Sequence, residues 1–218
     1  RSTRTLLTLA VTTIGLNGAA AAEVGLGADA VSRYVWRGTD FGNAVTVQPA
    51  IAYSTDAFEV GAWSSWAIDS GAANENDLYV SFAAGPISVT VTDYTFPAAA
   101  PGDFFSFGDG DGIHTIEVMG SIDLGAASVA AAVNLLGDYS SGSDETSIWL
   151  EASLPLAALS SDDVEVSLSL GAGNGDYTSD TDPMLVSVGL DVAKGDYFGS
   201  YILNPDAEIN FLVFGRSF

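Results

Sequence analysis

Cysteine is missing from all 218 residues, and histidine occurs once, as His114. A chain without cysteine has no disulfide framework and no thiolate metal site. Basic side chains are scarce: 6 lysines and arginines stand against 28 acids, a formal charge of −22. A protein this acidic lacks the basic footprint that nucleic acid requires. It also lacks the basic patch that docks proteins on anionic lipid. Long apolar runs are missing too. After residue 22 no stretch of about 18 apolar residues occurs, so no spanning helix is expected. The best candidate, Leu124 to Leu136, is too short and is interrupted by Ser128 and Asn134. Yet mean hydropathy is +0.29, which leaves apolar residues spread over strands.

The first 22 residues have the pattern of an export signal. Arg1 and Arg4 form a positive end, Leu6 to Leu16 an apolar stretch, and Ala20, Ala21 and Ala22 a small-residue cleavage site. Both arginines and no acid fall in this segment, so residues 23–218 keep 4 basic and 28 acidic side chains, a balance of −24.

Alternation with period two runs through that remainder, and it predicts twelve strands. The first is expected over about Ala28 to Gly38, with Asp29, Val31, Arg33, Val35 and Arg37 on one face. The cleanest sets Val164, Val166, Leu168 and Leu170 against Glu165, Ser167 and Ser169. The last, Ala207 to Phe218, alternates and ends on an aromatic. Helical periodicity does not intervene, so parallel βαβ units are excluded. Connections segregate by length. Pro97 to Gly112, Leu136 to Thr146 and Gly171 to Pro183 are long and polar. Thr55 to Ala57, Gly85 to Pro86, Gly125 to Ala126 and Lys194 to Asp196 are tight. Long and short connections alternating around an even strand count are the pattern of an antiparallel up-and-down transmembrane β-barrel. An all-β, twelve-stranded barrel over residues 23–218, carried to a bacterial outer membrane, is the expectation.

The residues Val31 to Asp69 carry a resemblance. VSRYVWRG, QPAIAY and GAWSSWAID, then DLYVSFAAGPISVTVTDYTFP, HTIEV and the terminal FGRSF, are similar to the TorF-type family of small porin-like outer-membrane proteins. The resemblance covers nearly all of the chain after the export signal, and its most specific part is Ser32 to Gly38. It implies an outer-membrane porin barrel. Arg216 departs from the aromatic or apolar alternation of the usual assembly signal, with which Phe218, Phe214 and Leu212 comply.

Arginine on a membrane strand belongs inside. Arg33 and Arg37 are therefore expected to line the lumen with Asp29, Asp93, Glu117, Glu151, Glu165 and Asp191. There they either set pore width and selectivity or plug the interior by pairing with acids. Tyr34, Trp36, Tyr53, Trp66, Phe96 and Phe218 are expected in the aromatic girdles at the membrane interfaces. Sugar stacking by Trp63, Trp66 or Trp149 is the sharper alternative.

Phe107 to Gly112 resembles a calcium loop but has Gly120 where the closing acid belongs. His114 and Glu117 are three residues apart and fall on opposite faces of a strand. Gly171 to Gly175 has no helix or lysine after it, so a phosphate loop is excluded. No cofactor or metal centre is expected.

The function expected is passive diffusion of small solutes, preferring cations, with no covalent chemistry. The competing readings are a closed structural or adhesive barrel acting through acidic outer connections, and a lipid-modifying enzyme built on His114. Expected partners are outer-membrane lipids and lipopolysaccharide, small solutes, and the outer-membrane assembly machinery through Ala207 to Phe218. Asp138, Asp144, Glu145, Asp176, Asp180 and Asp182 are candidates for bridging lipopolysaccharide phosphates through cations.

Overall fold

The computed structural model describes residues 22–69, 74–97, 104–107, 113–137 and 146–218. These hold fourteen strands and no helix. Twelve form the wall: β1 (Glu23–Val31), β4 (Thr46–Ser54), β5 (Phe58–Ala67), β6 (Glu75–Ala84), β7 (Ile87–Thr95), β8 (His114–Asp123), β9 (Ser128–Leu136), β10 (Ile148–Pro155), β11 (Glu165–Gly175), β12 (Thr181–Lys194), β13 (Tyr197–Asn204) and β14 (Ile209–Ser217). Each pairs antiparallel with its neighbours in the chain, and β1 also pairs with β14, which closes an up-and-down barrel. Two short strands, β2 (Val35–Trp36) and β3 (Thr39–Asp40), form a separate hairpin between β1 and β4.

Residues opposite one another on an antiparallel ladder share a face, and the faces alternate along each strand. The register therefore sorts the whole wall. Leu26↔Ile51, Ala62↔Leu78 and Tyr201↔Leu212 share the outer face. Leu26 is 76% exposed and Leu212 is 68% exposed, and most of the outer face is similarly apolar. Ser65↔Glu75, Thr92↔Glu117 and Ser167↔Asp191 share the inner face. Gln48, Asn134 and Ser169 are buried there too. Apolar outside and polar inside is the transmembrane arrangement, because the wall satisfies its own backbone and turns its apolar side chains to lipid. The wall strands run from 8 to 14 residues, enough for a tilted strand that needs about 9–11 to cross a bilayer.

Short turns gather at one end: residues 55–57, 85–86, 124–127 and 195–196. Gly195 sits at φ +60° in its two-residue turn, a backbone state that an L side chain resists. The longer 156–164 connection is the exception at this end, and Ser160 fastens it by accepting from the Val166 amide at 3.0 Å.

Two expectations are corrected. The first strand starts at Glu23 and stops at Val31 instead of running to Gly38. Beyond Val31 the chain turns into the barrel, with Arg37 at φ +51° and Gly38 at φ +79° making the tip of the β2–β3 hairpin. Gly171 to Pro183, expected as a loop, is largely strand: β11 continues to Gly175 and β12 starts at Thr181, with bulges at Gly171/Ala172 and Gly173/Gly175. The glycines there make room for lumen aromatics. A Cβ on Gly171 would lie 2.2 Å from the Trp149 ring, and one on Gly173 would lie 2.8 Å from Tyr177 Cβ.

Candidate functional site

The 32–45 connection folds into the barrel, and its side chains reach walls on opposite sides. Val35 packs on Ile202, Phe211 and Val213 of β13 and β14. Trp36 packs against the cluster of Ala132, Trp149, Tyr177 and Val186, and its ring lies 5.4 Å from Tyr94 of β7. Tyr34 stacks on Phe41 at 4.9 Å and meets Trp63 of β5 at 5.6 Å. Phe41 stacks in turn on Phe96 at 5.7 Å. The tip fits closely. Asn204 Nδ2 donates to the Gly38 carbonyl at 3.0 Å, and a Cβ on Gly38 would stand 2.5 Å from the Val186 carbonyl. Only glycine fits that approach at that φ.

Arg37 locks the hairpin in place. Its guanidinium forms a bidentate ion pair with Glu117 of β8, with Nη2 donating to Oε1 at 3.1 Å. Nη1 also donates to the Tyr177 hydroxyl at 2.7 Å. The cation lies over the rings of Trp36 at 4.3 Å, Tyr177 at 5.1 Å and Trp149 at 5.2 Å. Glu117, 1% exposed, accepts further from Tyr177 at 2.8 Å and Tyr94 at 3.1 Å. A buried charge persists only when it is paired and its remaining lone pairs are filled, and this carboxylate has both. Tyr34, at the hairpin's base, hydrogen-bonds Glu75. Burial pushes its hydroxyl well above the ordinary value, and Glu75 and Asp77 add to the effect, so it stays a donor.

The other expected pore residues are placed as follows. Arg33 remains within the hairpin's own connection, bonded to Asn43, 3.6 Å from Asp40 and 5.4 Å over the Phe211 ring. Asp29 faces inward opposite Gln48 and Ser217. Glu151 faces inward and accepts from Trp149 Nε1 at 3.3 Å. Asp191 accepts from Ser169 at 2.8 Å and Ser200 at 2.5 Å. Glu165 lies on the inner face near the short-turn end, opposite Ala193.

Asp93 is a correction. Its register partners are the outward Leu78 and Ile116, so it lies on the outer wall. The alternation that sends Ile87, Val89 and Val91 outward carries Asp93 with them. There it binds His114 Nδ1 at 2.9 and 3.0 Å, while His114 Nε2 meets the Phe104 carbonyl at 2.6 Å and Phe107 stacks on the imidazole at 4.0 Å. Beside this pair is a cavity of about 300 Å³, lined among others by Ser64, Asn76, Asp93, Thr95 and Phe104. Glu117 faces the lumen, so it and His114 are on opposite sides of the wall.

Three girdle assignments are also corrected: Tyr34, Trp36 and Phe96 are in the lumen, where they pack the inserted hairpin. Tyr53 and Trp66 face outward near opposite ends of the wall, at 41% and 56% exposure. Phe218 is exposed at the end of the chain, 4.8 Å from the Arg216 guanidinium, which also lies over Tyr197.

Sequence reasoning missed Glu59, Glu75, Asp77 and Tyr177. Glu59 faces inward and accepts from Tyr79 at 2.8 Å. Glu75 and Asp77 open β6 on its inner face. Tyr177 lies in the stretch expected as a loop. Asp138, Asp144, Glu145 and residues 108–112 of the calcium-like stretch lie outside the described residues. Asp176, Asp180 and Asp182 lie between or at the ends of β11 and β12; the Asp176 amide donates to Ser147 Oγ at 2.9 Å.

The wall and its contents define a class: a closed, twelve-stranded transmembrane barrel whose first long connection is seated in its lumen. Residues 16–214 match the Gcw_chp family, bacterial proteins of unknown function, and the chain belongs to that family. A search of curated proteins found no match.

Proposed function

We propose that this protein is a porin-type channel of a bacterial outer membrane that passes small solutes, prefers cations, and has its bore narrowed by the 32–45 hairpin. The observation that carries this reading is the charge of the lumen. Asp29, Glu59, Glu75, Asp77, Glu117, Glu151, Glu165 and Asp191 face inward. Among the described residues the inward bases are Arg33 and Arg37, both engaged at the hairpin. Such a bore concentrates cations and repels anions. A wall of twelve strands is intermediate between filled eight-stranded barrels and open sixteen-stranded ones, so an inserted segment decides how much bore remains. The apolar outer face and the resemblance to porin-like outer-membrane proteins support the location.

The hairpin's reach across the lumen favours one competing reading, a closed barrel that acts through its outer connections. Planar-bilayer recording separates the two. The channel reading expects small cation-selective steps from the wild-type protein, and larger steps when residues 33–44 are replaced by a short glycine–serine linker. A folded, inserted barrel that is silent in both forms overturns it in favour of the closed barrel.

A further inference from the structure

Buried polar atoms in proteins nearly always have hydrogen-bond partners, and those without one call for an explanation. Among the described residues, four side-chain oxygens without a partner lie on β4 and β6: Thr46 Oγ1, Gln48 Oε1, Glu75 Oε2 and Asp77 Oδ1. All four residues are at most 5% exposed. The register brings Gln48, Glu75 and Asp77 to one patch of the inner wall. Gln48 reaches Ser65 of β5 through Nε2 at 3.5 Å, and Ser65 is directly opposite Glu75. Asp77 follows two residues along the same face, whereas Thr46, opposite Ala67, lies on the other side of the Gln48–Ser65–Glu75 row and stands apart from the carboxylates. Tyr34 of the hairpin covers the patch and hydrogen-bonds Glu75, with Asp77 beside that carboxylate. Among the described residues the two carboxylates have no basic partner: Arg33 is engaged at Asp40 and Asn43, and Arg37 at Glu117.

We infer that this patch is a binding site for a hard divalent cation of the calcium type. The donor set is all oxygen: two carboxylates, the Gln48 amide carbonyl and the hydroxyls of Ser65 and Tyr34. It contains neither nitrogen nor sulfur, which suits calcium and not zinc or copper. Two carboxylates neutralise a divalent charge, and mixed neutral oxygens from three neighbouring strands match calcium's tolerance of irregular, high coordination better than magnesium's strict octahedron. A cation here draws the carboxylates of β6 and the amide of β4 together directly beneath Tyr34. It therefore braces the wall where the hairpin enters.

The test uses the refolded chain in detergent and terbium as a luminescent stand-in for calcium, since Trp63, opposite Asp77, and Tyr34 are positioned to sensitise its emission. The expected result is saturable sensitised emission that calcium displaces and magnesium displaces poorly. Losing one charged ligand should weaken binding by about tenfold or more, so Glu75→Gln and Asp77→Asn are both expected to lose the high-affinity phase. Glu165→Gln, an inward acid near the far end, is expected to keep it. Gln48→Leu leaves both charges in place and is expected to weaken binding several-fold, so it decides the matter if an acid variant fails to refold. Unchanged affinity in the β6 and Gln48 variants, or no calcium-displaceable emission from the folded wild type, overturns the assignment. Because binding is measured without current, its failure leaves the channel reading standing, and a silent bilayer leaves this site standing.

Discussion

Removing Arg37 tests whether the hairpin is a fixed part of the barrel. The guanidinium contacts Glu117 through two nitrogens and donates to Tyr177, and the pair is sealed from water. Breaking a buried pair by deleting one partner leaves an uncompensated charge, at a cost of about 3–5 kcal/mol. Here Glu117 keeps the hydroxyls of Tyr94 and Tyr177, which places the loss for Arg37→Met near the lower bound, about 3 kcal/mol. Since about 1.4 kcal/mol is a factor of ten, the unseated hairpin becomes about a hundredfold more populated. Glu117→Gln should cost a similar amount, because it strands the cation among aromatic rings. The double variant, with neither charge, should recover much of the loss, giving a coupling energy of about 2 kcal/mol or more. The assay is reversible urea unfolding of the refolded protein, followed by tryptophan fluorescence for all four members of the cycle. A coupling energy below about 0.5 kcal/mol, the range of exposed pairs, would refute the reasoning and mean that the hairpin samples a hydrated, unlocked position.

Two further outcomes follow from the face assignments. Arginine at Leu150 turns a charge toward lipid and should cost about 2–4 kcal/mol near mid-bilayer, whereas Glu151→Gln, one residue on and facing the lumen, should leave insertion unaffected. Yields of heat-modifiable folded barrel on cold gels read the difference, and equal yields would refute the register. Replacing His114 with alanine removes the link to the Phe104 carbonyl on the outer wall. Chymotrypsin added to whole cells should then cut near Phe104 faster than in the wild type, with bilayer current unchanged; an equal cutting rate would show that the imidazole does not hold that segment.

Alternation made most of the wall legible, since one lipid face and one lumen face impose period two on every strand. The hairpin was hidden by the same rule. Val31, Arg33, Val35 and Arg37 continue the strand's alternation without a break, and the sole local sign of a turn is Gly38. Tyr34 and Trp36 suit an interfacial girdle as well as a lumen packing site, because both environments reward a large ring with one polar edge. That Arg37 points inward was readable from the cost of an arginine in lipid. Its partner was not, because Glu117 is eighty residues away and only barrel closure brings the two together. Asp93 was readable from its parity with Val91, but its charge suggested the lumen; on the outer wall His114 and the Phe104 segment shield it from lipid.

The seat of the hairpin has a consequence for how the molecule is made. Residues 32–45 leave β1, the first strand of the wall, yet Val35 rests on Ile202, Phe211 and Val213 of β13 and β14, and the tip is held by Asn204. Earlier strands receive Tyr34, Trp36 and Arg37, but Val35 and the tip have no seat until β13 and β14 are in place. The seated hairpin is therefore a record of completion. An intermediate lacking its final strands has an early segment only partly docked, with the surface of Val35 still exposed. Loss of that exposure on closure couples the two ends of the polypeptide into one cooperative last step.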